Sequence, residues 1–159
     1  MAEQKRGRRT SFFIDGFNLY HSLRTAERLL PHTQLKWLDI PALCRSYLPM
    51  VGNGAELEEI HYFSAYADHL QKEIPQKPER HRKFTRALTA SKVNVHIAKF
   101  RKKKVWSHSQ KIWLEAYEEK ETDVAIACKV LSLAQKNAFE VAVLITGDSD
   151  FSPLARTFK

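Results

Sequence analysis

Cysteine is scarce in this chain, and long apolar runs are missing. Only two of the 159 residues are cysteine. Cys44 and Cys128 lie far apart, without the close spacing of a thiolate metal site, and two cysteines make no disulfide framework. Each falls in an apolar helical context, which predicts buried free thiols and fits a reducing cytoplasm. No segment is long and apolar enough to span a membrane. There is no internal repeat and no low-complexity linker. Acidic residues are the minority: 18 against 26 lysines and arginines, a net charge of +8 and a pI near 9.6. That balance suits a polyanionic partner, although a basic domain can also be merely soluble.

What is present describes an ordinary globular domain. Hydrophobic residues make up 43%, and a chain of this length can bury roughly two-thirds of its unfolded surface in one domain. Residues 1–10 read as a basic flexible leader. A short strand-like run containing Asp15 follows, which argues against a secretory signal. The domain proper is expected over residues 11–159.

Strands are expected at 11–15, 58–66, 93–98 and 139–145, the last as a central strand. Helices are expected at 17–29 (Leu19, Leu23, Ala26 and Leu30 inward) and at 38–48, with Asp39 as N-cap and Pro41 in the first turn. A third is expected from about 75 to 90, with Phe84, Ala87 and Leu88 inward. The fourth spans 121–137, with Glu121 or Thr122 as cap and Val124, Ala127, Cys128, Leu131 and Ala134 as its apolar stripe. A last helix starts near Asp150. Residues 101–118 read as a hairpin projecting from the sheet. Strands alternating with helices predict an α/β fold, a parallel sheet covered on both faces.

Two apolar runs end in acids. Phe12-Phe-Ile-Asp15 leads into Gly16-Phe-Asn18, and Val141-Ala-Val-Leu-Ile-Thr146 leads into Gly147-Asp148-Ser149-Asp150. In α/β sheets, ligands bind outside the carboxyl ends of the strands, so these acids would meet at one place. Clustered like charges there call for a bound cation. Each acid also has a plain alternative role. Asp15 and Asp150 are good helix N-caps, and Asp148 suits a turn. Asp123, one residue before Val124, suits the positive end of a helix dipole. Asn18 can orient Asp15, bind a phosphate or simply fill the first helical turn. Thr146 and Ser149 offer hydroxyls to a phosphate or to the acids.

The substrate side is carried by Arg101, Lys102, Lys103 and Lys104, followed by Trp106. Cations neutralise phosphates and an indole stacks on an unpaired base. A solvated basic hairpin with a core tryptophan is the alternative. Lys5, Arg6, Arg8 and Arg9, and Arg80, Arg82, Lys83 and Arg86, are weaker candidates. His21, His61, His69, His81, His96 and His108 lack ligand spacing and read as surface or packing residues.

Three stretches taken together resemble the NYN family, the LabA-like branch of the PIN-like nucleases. They are Phe13-Ile-Asp-Gly-Phe-Asn18, Lys120-Glu-Thr-Asp-Val124 and Thr146-Gly-Asp-Ser-Asp-Phe-Ser-Pro-Leu154, in family order, and the likeness spans residues 11–159. The resemblance implies a PIN-like three-layer α/β/α fold with a central, mainly parallel sheet of about four strands. It implies a Mg²⁺ or Mn²⁺ site held by Asp15, Asp123, Asp148 and Asp150, with Asn18 in support, and a ribonuclease acting on single-stranded or loop RNA. No membrane partner is implied, and a homo-oligomer is compatible with it. Two departures stand out. Many relatives carry glycine where this chain has Glu121. Relatives also continue through a further strand and helix, so the sheet is expected to be short of its C-terminal edge. Two other classes compete with the enzyme: an inactive RNA-binding or regulatory module on the same fold, and a phosphoaspartate phosphatase. The phosphatase needs Asp-x-Asp after the first strand, where this chain reads Asp15-Gly-Phe-Asn18.

Overall fold

The computed structural model describes residues 7–30, 33–70, 73–119 and 121–158. Lys5 and Arg6 of the expected leader, and Lys120 of the middle motif, lie outside the described residues. Along the chain run β1 (Arg9–Asp15), α1 (Gly16–Leu29), α2 (Ile40–Val51), β2 (Glu56–Ala65), α3 (Gln76–Ala90), β3 (Asn94–Ala98), β4 (Phe100–Ser107), β5 (Ile112–Glu119), α4 (Thr122–Gln135), β6 (Val141–Ile145) and α5 (Ser152–Thr157). Single 3₁₀ turns lie at Asp68–Leu70 and Ser149–Phe151.

Four strands form one parallel sheet in the order β3-β2-β1-β6. The α/β architecture is the expected one. Alternation along a strand sends successive side chains to opposite faces, and β1 divides the core accordingly. Phe12 and Ile14 join Ile40, Cys44, Tyr62, Leu88 and Val93 on one face, with Leu19 of α1 and Phe84 of α3 packed against them. Phe13 joins Phe63, Ile126, Val130, Phe151 and Leu154 on the other. Helices α1, α2 and α3 therefore cover one face, and α4 and α5 the other.

Several expectations are corrected. Among the described residues, strand β6 is an edge strand of the sheet, not a central one. Its apolar run reflects burial under α4 and α5, which an edge position does not prevent. Strand β1 starts at Arg9, two residues early, because Arg9 N–H donates to Glu140 and Thr10 is fully buried. Helix α4 is turned from its expected phase. Thr122, Ile126 and Val130 are buried, while Val124 is 65% exposed and Leu131 and Cys128 face outward. Apolar residues surround this helix, so two stripes satisfied the 3.6-residue period; contact with Phe13 and Phe63 selects one. Cys128 is thus an exposed free thiol, and only Cys44 is buried. On α3, Leu88 points inward as expected, but Thr85 replaces Ala87, bonding the Tyr66 hydroxyl at 2.9 Å. Leu30 lies past the end of α1 and is exposed.

The expected hairpin is present. Strands β4 and β5 pair antiparallel as a separate two-stranded ribbon. No helix among the described residues is long and apolar enough to cross a membrane.

Candidate active site

The carboxyl ends of β1 and β6 lie side by side, since Ile14 pairs with Ile145. Beyond them opens a cavity of about 380 Å³ lined by Asp15, Phe17, Asn18, Glu121, Thr122, Asp123, Val124 and Asp148. Three of the four expected acids and Asn18 thus meet there despite their separation in sequence. No described lining residue is a lysine, arginine or histidine.

Asp15 is buried and fixed on all sides. Its Oδ1 accepts from the Phe17 and Asn18 backbone N–H groups at 3.1 and 3.0 Å, as a helix N-cap does. Its Oδ2 accepts from Asn18 Nδ2 at 2.5 Å and from the Thr146 hydroxyl at 3.3 Å. The capping role and the site role therefore coexist in one side chain. Gly16 is required at the turn, because a Cβ there would lie 2.4 Å from the Tyr62 ring and 2.6 Å from the Phe63 carbonyl oxygen.

Thr146 links the two strand ends. While donating to Asp15, its hydroxyl accepts from the Asp148 backbone N–H at 3.1 Å. Asp148 caps the following 3₁₀ turn, accepting from the Asp150 N–H at 2.9 Å. Asp150 and Ser149 are exposed at that turn and do not line the cavity. Asp150 still acts through its field. Partial burial, then the charges of Asp15, Asp148 and Asp150, raise the Asp123 carboxyl above its ordinary value.

Among the described residues, no three histidine, cysteine, aspartate or glutamate side chains are drawn together as a ready metal shell. The donor set nevertheless suits a hard cation: carboxylate oxygens and an amide around an open cavity, with little positive charge to balance them. Mg²⁺ keeps several of its waters and needs few protein ligands.

Phe17, Thr122 and Val124 line the cavity without any motif in the sequence that marks them for it. Phe17 is half exposed at its mouth, edge-on to His21 with ring centroids 4.4 Å apart. Val124, expected in the core stripe of α4, lines the cavity instead. The signal for Phe17 was its position two residues past a strand-ending Asp.

The basic segment forms β4, where alternation divides it. Lys102, Lys104 and Trp106 share one face, and Arg101 and Lys103 the other. Trp106 meets its cross-strand partner Trp113 edge-on at 5.4 Å. Lys102 pairs with Glu115 at 2.5 Å. Arg101 pairs with Glu121, so the root of the ribbon touches the cavity wall. On α3, Arg82 pairs with Asp68 and Lys83 with Glu79.

A second cavity, of about 180 Å³, adjoins the first across Glu121 and Thr122, which line both. Its other walls are Phe63, Ser64, His96, Ile97, Ala98 and Ala125. Behind it runs a chain of side chains. His61 Nε2 lies 2.9 Å from Glu59 Oε2, and His61 Nδ1 lies 3.1 Å from His96 Nε2. Burial lowers the pKa of His61, and lowers that of His96 to about 4. Both rings are therefore neutral near pH 7.

A family model, the NYN domain, matches residues 9–159. No curated protein and no solved structure matches the chain significantly.

Proposed function

The chain belongs to the NYN domain family, and from that premise we propose that it is a metal-dependent ribonuclease that hydrolyses phosphodiester bonds of single-stranded or looped RNA. NYN domains are in general nucleases that act on RNA. The observation that carries the finer reading is the shared cavity of Asp15, Asp123 and Asp148, with Asp123 held above its ordinary pKa by partial burial and then by its acidic neighbours. Acids so placed repel one another until a cation joins them.

Asp15, Asp123 and Asp148 would hold Mg²⁺ or Mn²⁺, with Asp150 adding charge from outside. When bound, such an ion polarises a phosphate and lowers the pKa of a bound water. The chain's own groups do the positioning. Asn18 and Thr146 fix the Asp15 carboxylate through Oδ2, and Thr146 also sets the height of the Asp148 backbone. Ser149 offers a hydroxyl at the same exposed turn. Phe17 presents a ring at the mouth. Arg101 and Lys103 on one ribbon face, and Lys102, Lys104 and Trp106 on the other, supply phosphate and stacking contacts for RNA.

A second reading, an RNA-binding module without catalysis, draws on one observation: protein donors already occupy both Asp15 oxygens. A labelled single-stranded RNA incubated with Mn²⁺, beside the Asp148→Asn protein, separates the two. The nuclease reading expects Mn²⁺-dependent fragments from the wild type only. Binding without fragments at any Mn²⁺ concentration leaves the module.

A further inference from the structure

We propose that the second cavity is a base-recognition subsite that takes an unpaired nucleobase bearing an exocyclic amino group, cytosine before uracil. The proposal rests on RNA being the substrate and adds to it the choice of base.

Size and position come first. The cavity lies at the carboxyl ends of β2 and β3, beside the first turn of α4, and shares a wall with the acid-lined cavity. A nucleotide whose phosphate enters the first cavity has its base one sugar away, on the far side of that wall. At about 180 Å³, with Phe63, Ile97, Ala98 and Ala125 around it, the space suits one flat apolar ring. The Phe63 and His96 rings stack there at 4.5 Å, 18° from parallel, giving an aromatic border.

The polar groups then choose the base. Glu59 is an acceptor, so neutral His61 carries its proton on Nε2. Its Nδ1 lone pair accepts from His96 Nε2–H. His96 is left with an unprotonated Nδ1, a second acceptor. Glu121 supplies carboxylate oxygens, one of them paired with Arg101. Beside the Ser64 and Thr122 hydroxyls, which donate or accept, these acceptors favour an amino donor, and carboxylates accept from cytosine N4. Uracil has a carbonyl oxygen at that position and would face acceptors with an acceptor.

Glu121 also has a conformation to explain. Its φ of 79° and ψ of −8° lie in the left-handed region, and its side chain makes no capping hydrogen bond. Its carbonyl starts α4 by accepting from the Ala125 N–H at 2.8 Å, while its side chain is left to the cavity wall and Arg101, and strained non-glycine backbone of this kind clusters where a side chain is used. The shared wall and the Arg101 pair put that side chain where a base would read it.

The test is made without metal, using the neutral nucleosides cytidine and uridine as probes. Binding is followed at the His96 Cε1–H NMR resonance, assigned by its loss in His96→Gln. Cytidine is expected to bind on the order of tenfold more tightly than uridine. Ala98→Leu and Ala125→Leu, each filling the cavity from a different wall, should abolish the shift. Glu121→Gln, which adds a donor, should bring the two nucleosides together. Glu121→Gly should lose the discrimination while raising Tm, a combination that a purely structural role would not produce. Equal binding of the two nucleosides, no shift with either, or undiminished cytidine binding in a folded cavity-filling variant overturns the proposal. If cytidine is preferred but wild type never cleaves RNA, the nuclease reading fails and the subsite stands. If RNA is cleaved with no cytidine preference, the subsite fails and the nuclease stands.

Discussion

Arg101 and Glu121 form an ion pair that joins the root of the β4–β5 ribbon to the wall between the two cavities. Both side chains are more than 60% exposed, so the pair adds at most about 1 kcal/mol to stability.

Arg101→Ala should therefore leave Tm within about 4 °C of wild type. It should tighten Mn²⁺ binding, by up to about fivefold, because Glu121 loses its counter-charge; two charges a few ångström apart in water exchange about 1 kcal/mol. RNA binding should weaken in the same protein. Opposite signs for cation and RNA, read by thermal shift with Mn²⁺ and by fluorescence anisotropy, support the placement. Parallel changes contradict it.

Asp148→Asn should abolish cleavage and keep or raise Tm without metal. The asparagine oxygen can still accept from the Asp150 N–H, so the turn is retained, and one like charge leaves the cavity. Mn²⁺ at about a hundred times its Kd should stabilise wild type by roughly 2.7 kcal/mol, and the variant far less. Equal metal-induced gains in both proteins would remove Asp148 from the metal site.

The fold was legible because local patterns were strong. Asp39 and Pro41 mark the start of α2, and the five-residue run of β6 is where the sequence places it. The acids that meet were also legible, since strand ends of a parallel sheet share one edge. Strand order was not. Nothing in Val141–Ile145 distinguishes an edge strand covered by helices from a central one. The phase of α4 was hidden because apolar residues surround it, and so Val124 was assigned to the core and Cys128 to a buried position. Division of the basic segment between two faces follows from β4 being a strand, but which face meets Glu121 depends on how the ribbon is seated. The second cavity needs Phe63, His96 and Glu121 from three elements, and no local motif signals it.

Two groups of titrating residues should pull stability in opposite directions with pH. Asp123 has a folded pKa above its ordinary 3.8. The folded state holds that proton longer, so its contribution falls as pH rises from 3.8 through the raised value and is flat above. Asp123→Asn should exceed wild type in Tm above that window, with the gap closing below it, in metal-free buffer. His61, His81 and His96 have folded values below their ordinary 6.5, about 4 for His96. Their contribution is complete above 6.5 and lost as pH falls towards 4. His96→Gln should show a shallower loss of Tm between those two values. A wild-type slope in that interval would tell against the partly buried neutral ring.

Replacing Lys102, Lys103 and Lys104 together with alanine should weaken RNA binding and flatten its salt dependence, by about 0.7 released ions per lost phosphate contact. Metal-induced stabilisation should be unchanged. Trp106→Ala should lose affinity with little change in salt slope, since stacking on a base is worth roughly 1–3 kcal/mol and is not ionic. An unchanged salt slope in the triple variant removes the ribbon as the RNA track and turns attention to Arg80 and Arg86.

The two thiols differ enough in environment to be chemically distinct. Cys44 is fully buried, and burial pushes its pKa up to about 12, so it carries almost no thiolate at neutral pH. Cys128 is exposed on α4, five positions after Asp123. A maleimide dye added to the native protein should couple to one sulfur alone. Without any engineered cysteine, the chain has an anchoring point for a fluorophore or spin label on the helix whose first turn borders both cavities.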